Sequence, residues 1–356
     1  MTADFGAYLH AVEDEMRQLL SAPDERLRPL YAMMGYHLGW VDAQGQPLKA
    51  DRGKRVRPLL CLLCCEAAGG DWRRALPAAA GLELIHNFSL IHDDIEDNSP
   101  ARRGRPTVWA LWGLPHGINA GDTMLMLARL ALGRLSSRGV EPSITLQAMD
   151  ILDRTCLQLC QGQYLDITGE GRLGTSEEAY LEMIGGKTAA LLAASTQTGA
   201  LIGISSPPAG TPPRADEDEG GGRDTLEYYR RFGWHLGLAF QMVDDLLGIW
   251  GDPAVTGKPA ADDLRSRKMT LPVIFALRSS RMGEQLATLY GREAFGDRDL
   301  AQAVDILDEA GAQQYVQQLA AQHAASALAA LDSAGPRAPA AAHLRELSTS
   351  LLGRRK

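Results

Sequence analysis

Two apolar segments of this chain each carry a pair of adjacent aspartates, and this combination constrains the fold more than any other feature. The first segment, ELIHNFSLIHDDIED, contains Asp93 and Asp94, and the second, GLAFQMVDDLLGIWGD, contains Asp244 and Asp245. Apolar helices rarely carry two carboxylates together, because burying an unpaired charge is costly. Both segments therefore indicate a cavity whose carboxylates hold metal ions, and hard oxygen ligands of this kind suit Mg²⁺ with bound phosphate groups.

The hydrophobic pattern is helical along most of the chain. The stretch from Leu76 to Asp97 is apolar nearly all round, which predicts a buried central helix. Further helices are predicted from Pro58 to Ala68, with proline in the first turn, and from Thr188 to Ile204. Hydrophobic residues make up 45% of the chain and aromatic residues only 6%, which favours helix over sheet. We predict an all-α fold, a single large helical domain over 1–356 around a central cavity.

One stretch breaks this pattern. SSPPAGTPPRADEDEGGGRD, at 205–224, consists of proline, glycine and acidic residues without apolar periodicity. Such a composition buries too little apolar surface to offset the entropy of ordering the chain. We interpret it as a mobile surface loop within the domain rather than as a linker between domains.

Charge and composition exclude several classes of protein. The formal net charge of -8 argues against a nucleic-acid partner, which usually needs a basic surface. Residues 1–20 lack the apolar core of a signal peptide, and no apolar run is long and charge-free enough to span a membrane. The five cysteines offer no complete zinc site, so we predict small core residues in a cytoplasmic protein.

Cationic residues accompany the first aspartate motif. Asp93 and Asp97 are one helical turn apart and share a face. The run Arg102, Arg103, Gly104, Arg105 follows closely, and arginine binds phosphate oxygens in a bidentate manner. Carboxylates followed by arginines predict a place where metal and diphosphate meet.

A second cationic group precedes this motif. Lys54 and Arg57 lie at the predicted N-terminus of the Pro58 helix, and a helix N-terminus favours anions. His86 lies seven residues before Asp93, only about 20° from its face of the helix. The phase of His86 with Asp93 favours a role at the site over that of a core histidine.

Taken in order along the chain, six blocks resemble the trans-isoprenyl diphosphate synthases, also called the polyprenyl synthetase family, and most closely the bacterial geranylgeranyl diphosphate synthases. The resemblance runs from about Gly53 to about Leu277. Its blocks are GKRVRP at 53–58, ELIHNFSLIHDDIEDNSPARRGRPT at 83–107, GQYLD at 162–166, GKT at 186–188, FQMVDD at 240–245 and GKPAADDLRSRKMTLP at 257–272.

The resemblance implies a helix bundle of the isoprenoid-synthase type that forms a homodimer. It also implies separate binding roles for the site residues. Mg²⁺, expected as three ions with diphosphate bound, would be held by Asp93, Asp97, Asp244 and Asp245. The allylic diphosphate would be served by Arg102, Lys187, Lys258 and Lys268, and isopentenyl diphosphate by Lys54, Arg57, His86 and Arg103. The family's cavity is also lined at the positions of Gln163, Asp166, Thr188 and Gln241.

The implied reaction is prenyl transfer. Mg²⁺ and the cations would neutralise the departing diphosphate of an allylic substrate, and Asp93, Asp97, Arg102, Lys187, Asp244 and Lys258 are the residues expected to carry catalysis. The double bond of isopentenyl diphosphate would then attack the allylic cation head to tail, and a proton would leave, with no side-chain general base assigned. The apolar helices would exclude water from the cation.

The second motif departs from the family pattern. The family usually has DDxxD here, whereas this chain reads Asp244, Asp245, Leu, Leu, Gly248, so the third carboxylate is missing. Asp252 lies two turns past Asp244, about 12 Å along the axis. We expect weakened organisation of metal or water rather than loss of activity.

Product length depends on the helix that leads to Asp93. Phe88 is five residues before Asp93 and Ser89 is four before it, so both would shape the floor of the cavity. In the family, an aromatic residue at the fifth position together with an uninterrupted DDxxD accompanies C20 synthases. The resemblance therefore implies geranylgeranyl diphosphate as the main product, with farnesyl diphosphate as the next candidate.

Two other classes of protein remain as alternatives. A class I terpene cyclase also uses an aspartate-rich motif and Mg²⁺, but it would lack the site at Lys54, Arg57 and His86. A non-catalytic regulatory subunit of a heteromeric prenyl synthase is favoured by Gly248 and opposed by the complete first motif and by Lys187.

Overall fold

A computed structural model of the chain describes residues 5–48, 50, 53–206, 221–252, 261–292 and 295–353. Its α-helices are α1 Gly6–Leu19, α2 Arg28–His37, α3 Val56–Ala67, α4 Leu76–Glu96, α5 Val108–Trp112, α6 Leu114–Gly133, α7 Pro142–Gly169, α8 Glu177–Ile184, α9 Ala190–Ser205, α10 Gly221–Trp250, α11 Asp262–Arg265, α12 Leu271–Leu277, α13 Ser280–Tyr290, α14 Asp297–Glu309, α15 Ala312–Ser333 and α16 Ala340–Leu352. A π-helical turn, Gly185–Ala189, joins α8 to α9.

The predicted all-α class is confirmed. The strands of the described chain are limited to a two-residue hairpin, β1 Ala101–Arg102 paired with β2 Arg105–Pro106, and one isolated bridge between Val41 and Pro47. The hairpin was not expected from the sequence, because two-residue strands are too short to show alternation. The loop predicted at 205–224 lies largely outside the described residues, since α9 ends at Ser205 and α10 begins at Gly221.

The chain divides into two compact units. The first comprises 1–156, 194–227 and 335–344, and the second comprises 157–193, 228–334 and 345–356. Each unit is built from segments that are distant in sequence, so neither is a continuous stretch of chain. The single-domain organisation expected from the sequence stays a prediction.

In the first unit, α4 is the central element. It is buried along most of its length and packs against α1, α3 and α6. Glycine allows the closest approaches, because a Cβ on Gly81 would lie 2.9 Å from the backbone oxygen of Ala128 in α6. Likewise, a Cβ on Gly199 of α9 would lie 2.0 Å from the backbone oxygen of Cys61 in α3. This dense packing fixes the axis of α4, and with it the direction of the aspartates at its end.

In the second unit, a buried cluster joins α8, α10, α12 and α15. Its members are Tyr180, Ile184, Ala189, Leu238, Met242, Leu271, Ile274, Val316 and Ala320. Burying apolar area contributes about 25 cal/mol per Å². The cluster lies beside the second aspartate pair and so holds those turns of α10 in place.

The cysteine prediction is partly wrong. Cys61, Cys64 and Cys65 are buried in α3, as expected for core residues, but Cys156 is half-buried and Cys160 is exposed on α7. None of these five cysteines, all within the described residues, forms a disulfide bond.

Across the described part of the chain, none of the helices combines the length and the hydropathy needed to cross a membrane.

Candidate active site

The first aspartate motif lies at the C-terminal end of α4. The helix ends at Glu96, and the N–H of Asp97 donates to the backbone oxygen of Asp93 at 2.8 Å. Asp93 is half-buried and Asp97 is exposed, so both carboxylates reach the surface of this unit, as their shared helical face predicts. This end of the helix presents two oxygen-donor side chains one turn apart.

Asp94 has a different role from its neighbour. It is only 1% exposed, and its Oδ1 accepts a hydrogen bond from Nε of Arg102 at 2.7 Å. Burial raises the pKa of the Asp94 carboxyl, and the Arg102 guanidinium opposes that rise. Sequence reasoning did not single out Asp94. The adjacent pair was the available signal, because two neighbouring helical residues point 100° apart and one must turn inward.

The arginine run forms the hairpin that follows α4. Arg103 and Gly104 have φ values of 51° and 71°, the left-handed pair that a two-residue turn between short strands requires. Arg102 is bound to Asp94, and Arg105 stacks over Tyr36 at 3.9 Å while donating to two backbone oxygens. Arg103 alone of the three is exposed at the turn.

Arg103 meets the start of α3. A Cβ on Gly53 would lie 2.8 Å from Nη2 of Arg103, so the guanidinium rests against the Gly53 backbone. Lys54 is the next residue and is exposed, and Arg57 lies one turn further on. The predicted group of Lys54, Arg57 and Arg103 is thus brought to one region of the first unit.

Two histidines adjoin these arginines. Burial and then the charges of Arg57 and Arg103 lower the pKa of His86 well below its ordinary value, so its imidazole is neutral at pH 7. His37, at the end of α2, was not predicted. Burial and the charges of nearby arginines, Arg102 first, lower its pKa to about 3. Within the described residues its buried Nε2 has no hydrogen-bond partner. This clustering of cations with neutral imidazoles suits a multiply charged anion.

The burial of Arg57 also indicates a site for an anion. Burial lowers the pKa of its guanidinium to about 10, and the Glu83 charge opposes this. Its Nε is also buried without a hydrogen-bond partner among the described residues. A buried cationic donor of this kind is costly unless an anion meets it.

In the second unit, close backbone contact positions Lys187. A Cβ on Gly162 of α7 would lie 2.3 Å from the backbone nitrogen of Lys187, and one on Gly186 would lie 2.7 Å from the backbone oxygen of Gln158. The π-helical turn at Gly185–Ala189 thereby crosses α7 with almost no side chain between them. Such turns frequently occur at functional sites.

This crossing joins two of the predicted blocks. The Nζ of Lys187 donates to Oδ2 of Asp166, one turn along α7 from Gly162. Gln163 lies next to Gly162 and is 7% exposed. The GQYLD and GKT blocks are therefore one structural feature, in which the glycines allow contact and the lysine is oriented by Asp166.

A hydrogen-bond network surrounds Asp245. Its Oδ2 accepts from the Tyr180 hydroxyl and from the Leu271 backbone N–H at 3.0 Å, and its Oδ1 accepts from Nε2 of Gln241 at 3.2 Å. The Gln241 Oε1 in turn accepts from the Thr188 hydroxyl at 2.9 Å. Burial raises the pKa of Asp245 to about 7, against the effect of these donors.

The two aspartates of the second motif thus differ. Asp245 is 3% exposed and engages protein donors with both oxygens, whereas Asp244 is exposed. Tyr180, which sequence reasoning missed, links α8 to this pair. Lys268 is exposed, and Lys258 lies outside the described residues. In the described chain, no three His, Cys, Asp or Glu side chains are arranged to hold a metal ion by themselves.

The two residues predicted to control product length lie within α4. Phe88 is 5% exposed, and its ring meets that of His92 edge to face with centroids 5.6 Å apart. Nε2 of His92 lies 3.2 Å from the backbone oxygen of Ile118 in α6. The Ser89 hydroxyl donates to the His86 backbone oxygen at 2.8 Å. Phe88 therefore has a fixed ring orientation, supported by His92 and α6.

Comparison with known proteins agrees with these features. The family described as polyprenyl synthetase matches residues 39–307. A (2E,6E)-farnesyl diphosphate synthase from Mycobacterium bovis is 38% identical over 344 residues, which cover 95% of this chain and 89% of that protein. A geranylgeranyl diphosphate synthase from Mycobacterium tuberculosis is 40% identical, over 93% of this chain and 87% of that protein.

The fold agrees as well. The crystal structure of a polyprenyl synthetase from Streptomyces coelicolor A3(2) superposes with a TM-score of 0.84 at 35% identity, covering 97% of this chain and 98% of that one. The family match spans most of the chain and includes the carboxylates of α4 and α10, the Lys54 region and Lys187. The chain belongs to the polyprenyl synthetase family, and it is a trans-prenyltransferase.

Proposed function

We propose that this enzyme condenses isopentenyl diphosphate head to tail with allylic diphosphates (dimethylallyl, geranyl and farnesyl) and releases mainly geranylgeranyl diphosphate. The observation that carries the proposal is the group of Arg57, His86 and Arg103 in the first unit, where Nε of Arg57 has no hydrogen-bond partner among the described residues. These two arginines with their neutral histidine are separate in sequence from Lys187 and its Asp166 partner. Two diphosphate sites are what a condensing enzyme needs, whereas a terpene cyclase needs one.

The residues present fit Mg²⁺. Asp93, Asp97 and Asp244 offer accessible carboxylate oxygens, and Mg²⁺ is usually held by one or two carboxylates together with water and substrate phosphates. Asp94 Oδ2 is buried without a hydrogen-bond partner in the described chain, a position that a metal-bound water would satisfy. We propose these three accessible aspartates as ligands. Asp245, predicted as a further ligand, is proposed instead to orient Gln241 and Thr188.

The chain's own residues would act mainly by charge and position. Held by these aspartates, Mg²⁺ would supply Lewis-acid stabilisation to the departing diphosphate. Lys187, oriented by Asp166, together with Arg102, Lys258 and Lys268, would bind the allylic diphosphate, and Lys54, Arg57, His86 and Arg103 would bind isopentenyl diphosphate. Thr188 and Gln241, joined by their hydrogen bond, would border the reacting carbon. The apolar residues of α4 would exclude water from the allylic cation.

Purified protein, supplied with Mg²⁺, isopentenyl diphosphate and dimethylallyl diphosphate, provides the test. We expect chain elongation that stops mainly at C20 and ceases when a chelator is added, as measured by chromatography of the dephosphorylated products. A cyclic hydrocarbon product would favour a terpene cyclase. Absence of product from the protein alone, with activity restored by a second subunit, would favour the regulatory alternative.

The two diphosphate sites should be separable by kinetics. Arg57→Ala is expected to raise the KM for isopentenyl diphosphate about 10- to 100-fold, since a hydrogen bond to a charged group contributes roughly 1.5–3 kcal/mol. The KM for the allylic substrate should change far less. Lys187→Ala is the matched comparison and should show the opposite bias. Equal effects of Arg57→Ala on both substrates would contradict the assignment.

Product length should respond to Phe88. Phe88→Ala is expected to lengthen the product by one or more isoprene units, because it removes the buried ring that His92 holds in place. Leu90→Ala is the control, because it removes a side chain of α4 that points about 160° away from that of Phe88. A wild-type product of mainly C15 would refute the C20 proposal alone. An unchanged product from Phe88→Ala would place the floor of the cavity elsewhere.

The homodimer is proposed from exposed apolar faces. On α6, Leu130 is 67% exposed, and Leu114, Ile118 and Met126 are exposed as well. On α7, Leu146, Leu157 and Tyr164 are exposed and share a face to within about 20°. Soluble proteins seldom leave such apolar faces in water, and here we propose a second copy of the chain as the partner. Light scattering after size-exclusion chromatography should give twice the chain mass.

A charge placed at Leu130, on the exposed side of α6, should weaken the dimer. Leu130→Glu is expected to shift the mass toward one chain, since burying the new carboxylate without a partner is costly. Leu27→Glu is the control, because Leu27 is an exposed leucine on another element, at 43% exposure. A monomeric wild type, or an unaffected Leu130→Glu protein, would be inconsistent with this interface.

A further inference from the structure

Gly248 lies one helical turn after Asp244 on α10, at the position where the second motif lacks its third carboxylate. The space beside this glycine is filled. A Cβ built on Gly248 would lie 1.9 Å from Oδ2 of Asp263 and 2.6 Å from its Cγ. The carboxylate of Asp263, in α11, therefore occupies the volume that a side chain at position 248 would take.

The backbone around Asp263 holds this carboxylate in place. The Asp263 backbone oxygen accepts from the Lys268 N–H at 2.9 Å and from the Ser266 hydroxyl at 3.2 Å. Leu264, the next residue, is fully buried in one apolar cluster with Ile249, the neighbour of Gly248. Two flanking residues, Ala261 and Arg267, have φ of 54° and 55°. Packing on both elements thus fixes α11 against this turn of α10.

The Asp263 carboxylate lies close to the second motif in space, although it is distant in sequence. Its contact with the Gly248 position places it beside the turn of α10 that follows Asp244, within the second unit.

We propose that Asp263 supplies the third carboxylate of the metal site at Asp244, in place of residue 248. Residues four apart on a helix have Cβ atoms about 5–6 Å apart, so a carboxylate at the Gly248 position is within reach of the water shell of an ion on Asp244. Mg²⁺ commonly keeps several waters, and a second carboxylate that accepts from them orients the ion. The inference rests on the proposed Mg²⁺ role of Asp244 and makes Asp263 a positioning residue.

Dependence on Mg²⁺ gives the first test. Asp263→Asn removes the charge and keeps the shape, and it should raise the Mg²⁺ concentration for half-maximal activity on the order of 10-fold. The second readout is binding without turnover, measured as the rise in melting temperature caused by Mg²⁺ with inorganic pyrophosphate. That rise should need correspondingly more Mg²⁺ in Asp263→Asn. Asp252→Asn removes the other carboxylate near the end of α10 and should leave both curves unchanged.

A reciprocal exchange gives the sharper test. Gly248→Asp alone should lower the activity, because the new side chain would overlap that of Asp263. Asp263→Ala alone should have a raised Mg²⁺ requirement. In the double variant Gly248→Asp/Asp263→Ala, the new carboxylate has the vacated space, and the Mg²⁺ requirement should return toward that of the wild type.

The outcomes separate this inference from the proposed function. A wild type without Mg²⁺-dependent stabilisation or activity would refute the metal role of Asp244 itself. A wild type that needs Mg²⁺, with Asp263→Asn showing the same requirement, would overturn only the inference. The inference would also be overturned if Asp263→Asn merely lowered the melting temperature without ligands, or if Asp252→Asn shifted the Mg²⁺ curves instead.

Discussion

Asp93→Ala is expected to lower kcat/KM on the order of 10³-fold, the largest loss of activity that we predict for a single substitution. Asp93 lies in the last turn of the buried helix α4, half-buried at the surface of the unit and one turn before Asp97. Removing it takes one oxygen ligand from the proposed Mg²⁺ site, so the leaving diphosphate loses preorganised electrostatic stabilisation. Loss of a single such group typically costs about 10²–10³ in rate.

Glu96→Ala is the matched control for this prediction. Glu96 lies on the same turn of α4, carries the same charge and is exposed, but it is off the face shared by Asp93 and Asp97. Initial rates with saturating isopentenyl diphosphate and varied allylic substrate will compare the two variants. The metal assignment fails if Asp93→Ala turns over at a rate close to that of the wild type, or if a chelator leaves the wild type active.

The second large effect is on stability. Glu83→Ala is expected to lower the free energy of unfolding by about 3–5 kcal/mol, the usual range when one partner of a buried ion pair is removed. Arg55 and Glu83 are 8% and 3% exposed, and Nη1 of Arg55 donates to Oε1 of Glu83 at 2.7 Å. The same oxygen accepts from Nδ2 of Asn87 at 2.9 Å. The substitution leaves a buried guanidinium without this partner.

Chemical denaturation monitored by circular dichroism will measure this loss. The control is Asp150→Ala, which removes a carboxylate from an exposed pair with Arg154 four residues away. Pairs of that kind contribute roughly 0.3–0.5 kcal/mol. A double variant, Arg55→Met/Glu83→Leu, should recover much of the lost stability, because an apolar pair has no charge to desolvate. Similar losses for Glu83→Ala and Asp150→Ala would show that the buried pair is not a major source of stability.

Helical geometry explains which candidate site residues could be placed together from the sequence. Asp93, Asp97 and His86 recur on one face of a single helix, and a fixed 100° step determines that face wherever the helix packs. Lys54 and Arg57 were placed at the start of a helix from the position of Pro58, and α3 does begin close to it, at Val56. Their expected role came from the family resemblance rather than from periodicity.

Contacts between elements were not predictable in this way. The pairing of Lys187 with Asp166 depends on α7 and the π-helical turn meeting at Gly162 and Gly186, and no periodicity shows which helices touch. The hydrogen bond from Tyr180 to Asp245 was not predictable either, because it joins residues 65 positions apart in the sequence. His37 joins the arginines only because α2 packs near the hairpin, so its sequence position offered no signal.

The two aspartate pairs illustrate both what the local sequence determines and what contacts between elements decide. The sequence by itself determined the all-α class, the buried α4 and the presence of carboxylates at its end, because hydrophobic periodicity and charge are local properties of the chain. Only the tertiary structure decided that Asp94 binds Arg102, that Asp245 is enclosed by protein donors, and that Asp263 fills the space beside Gly248. The physical reason is that burial and hydrogen-bond partners are set by neighbouring elements, and two adjacent aspartates acquire different roles only when one of them is desolvated.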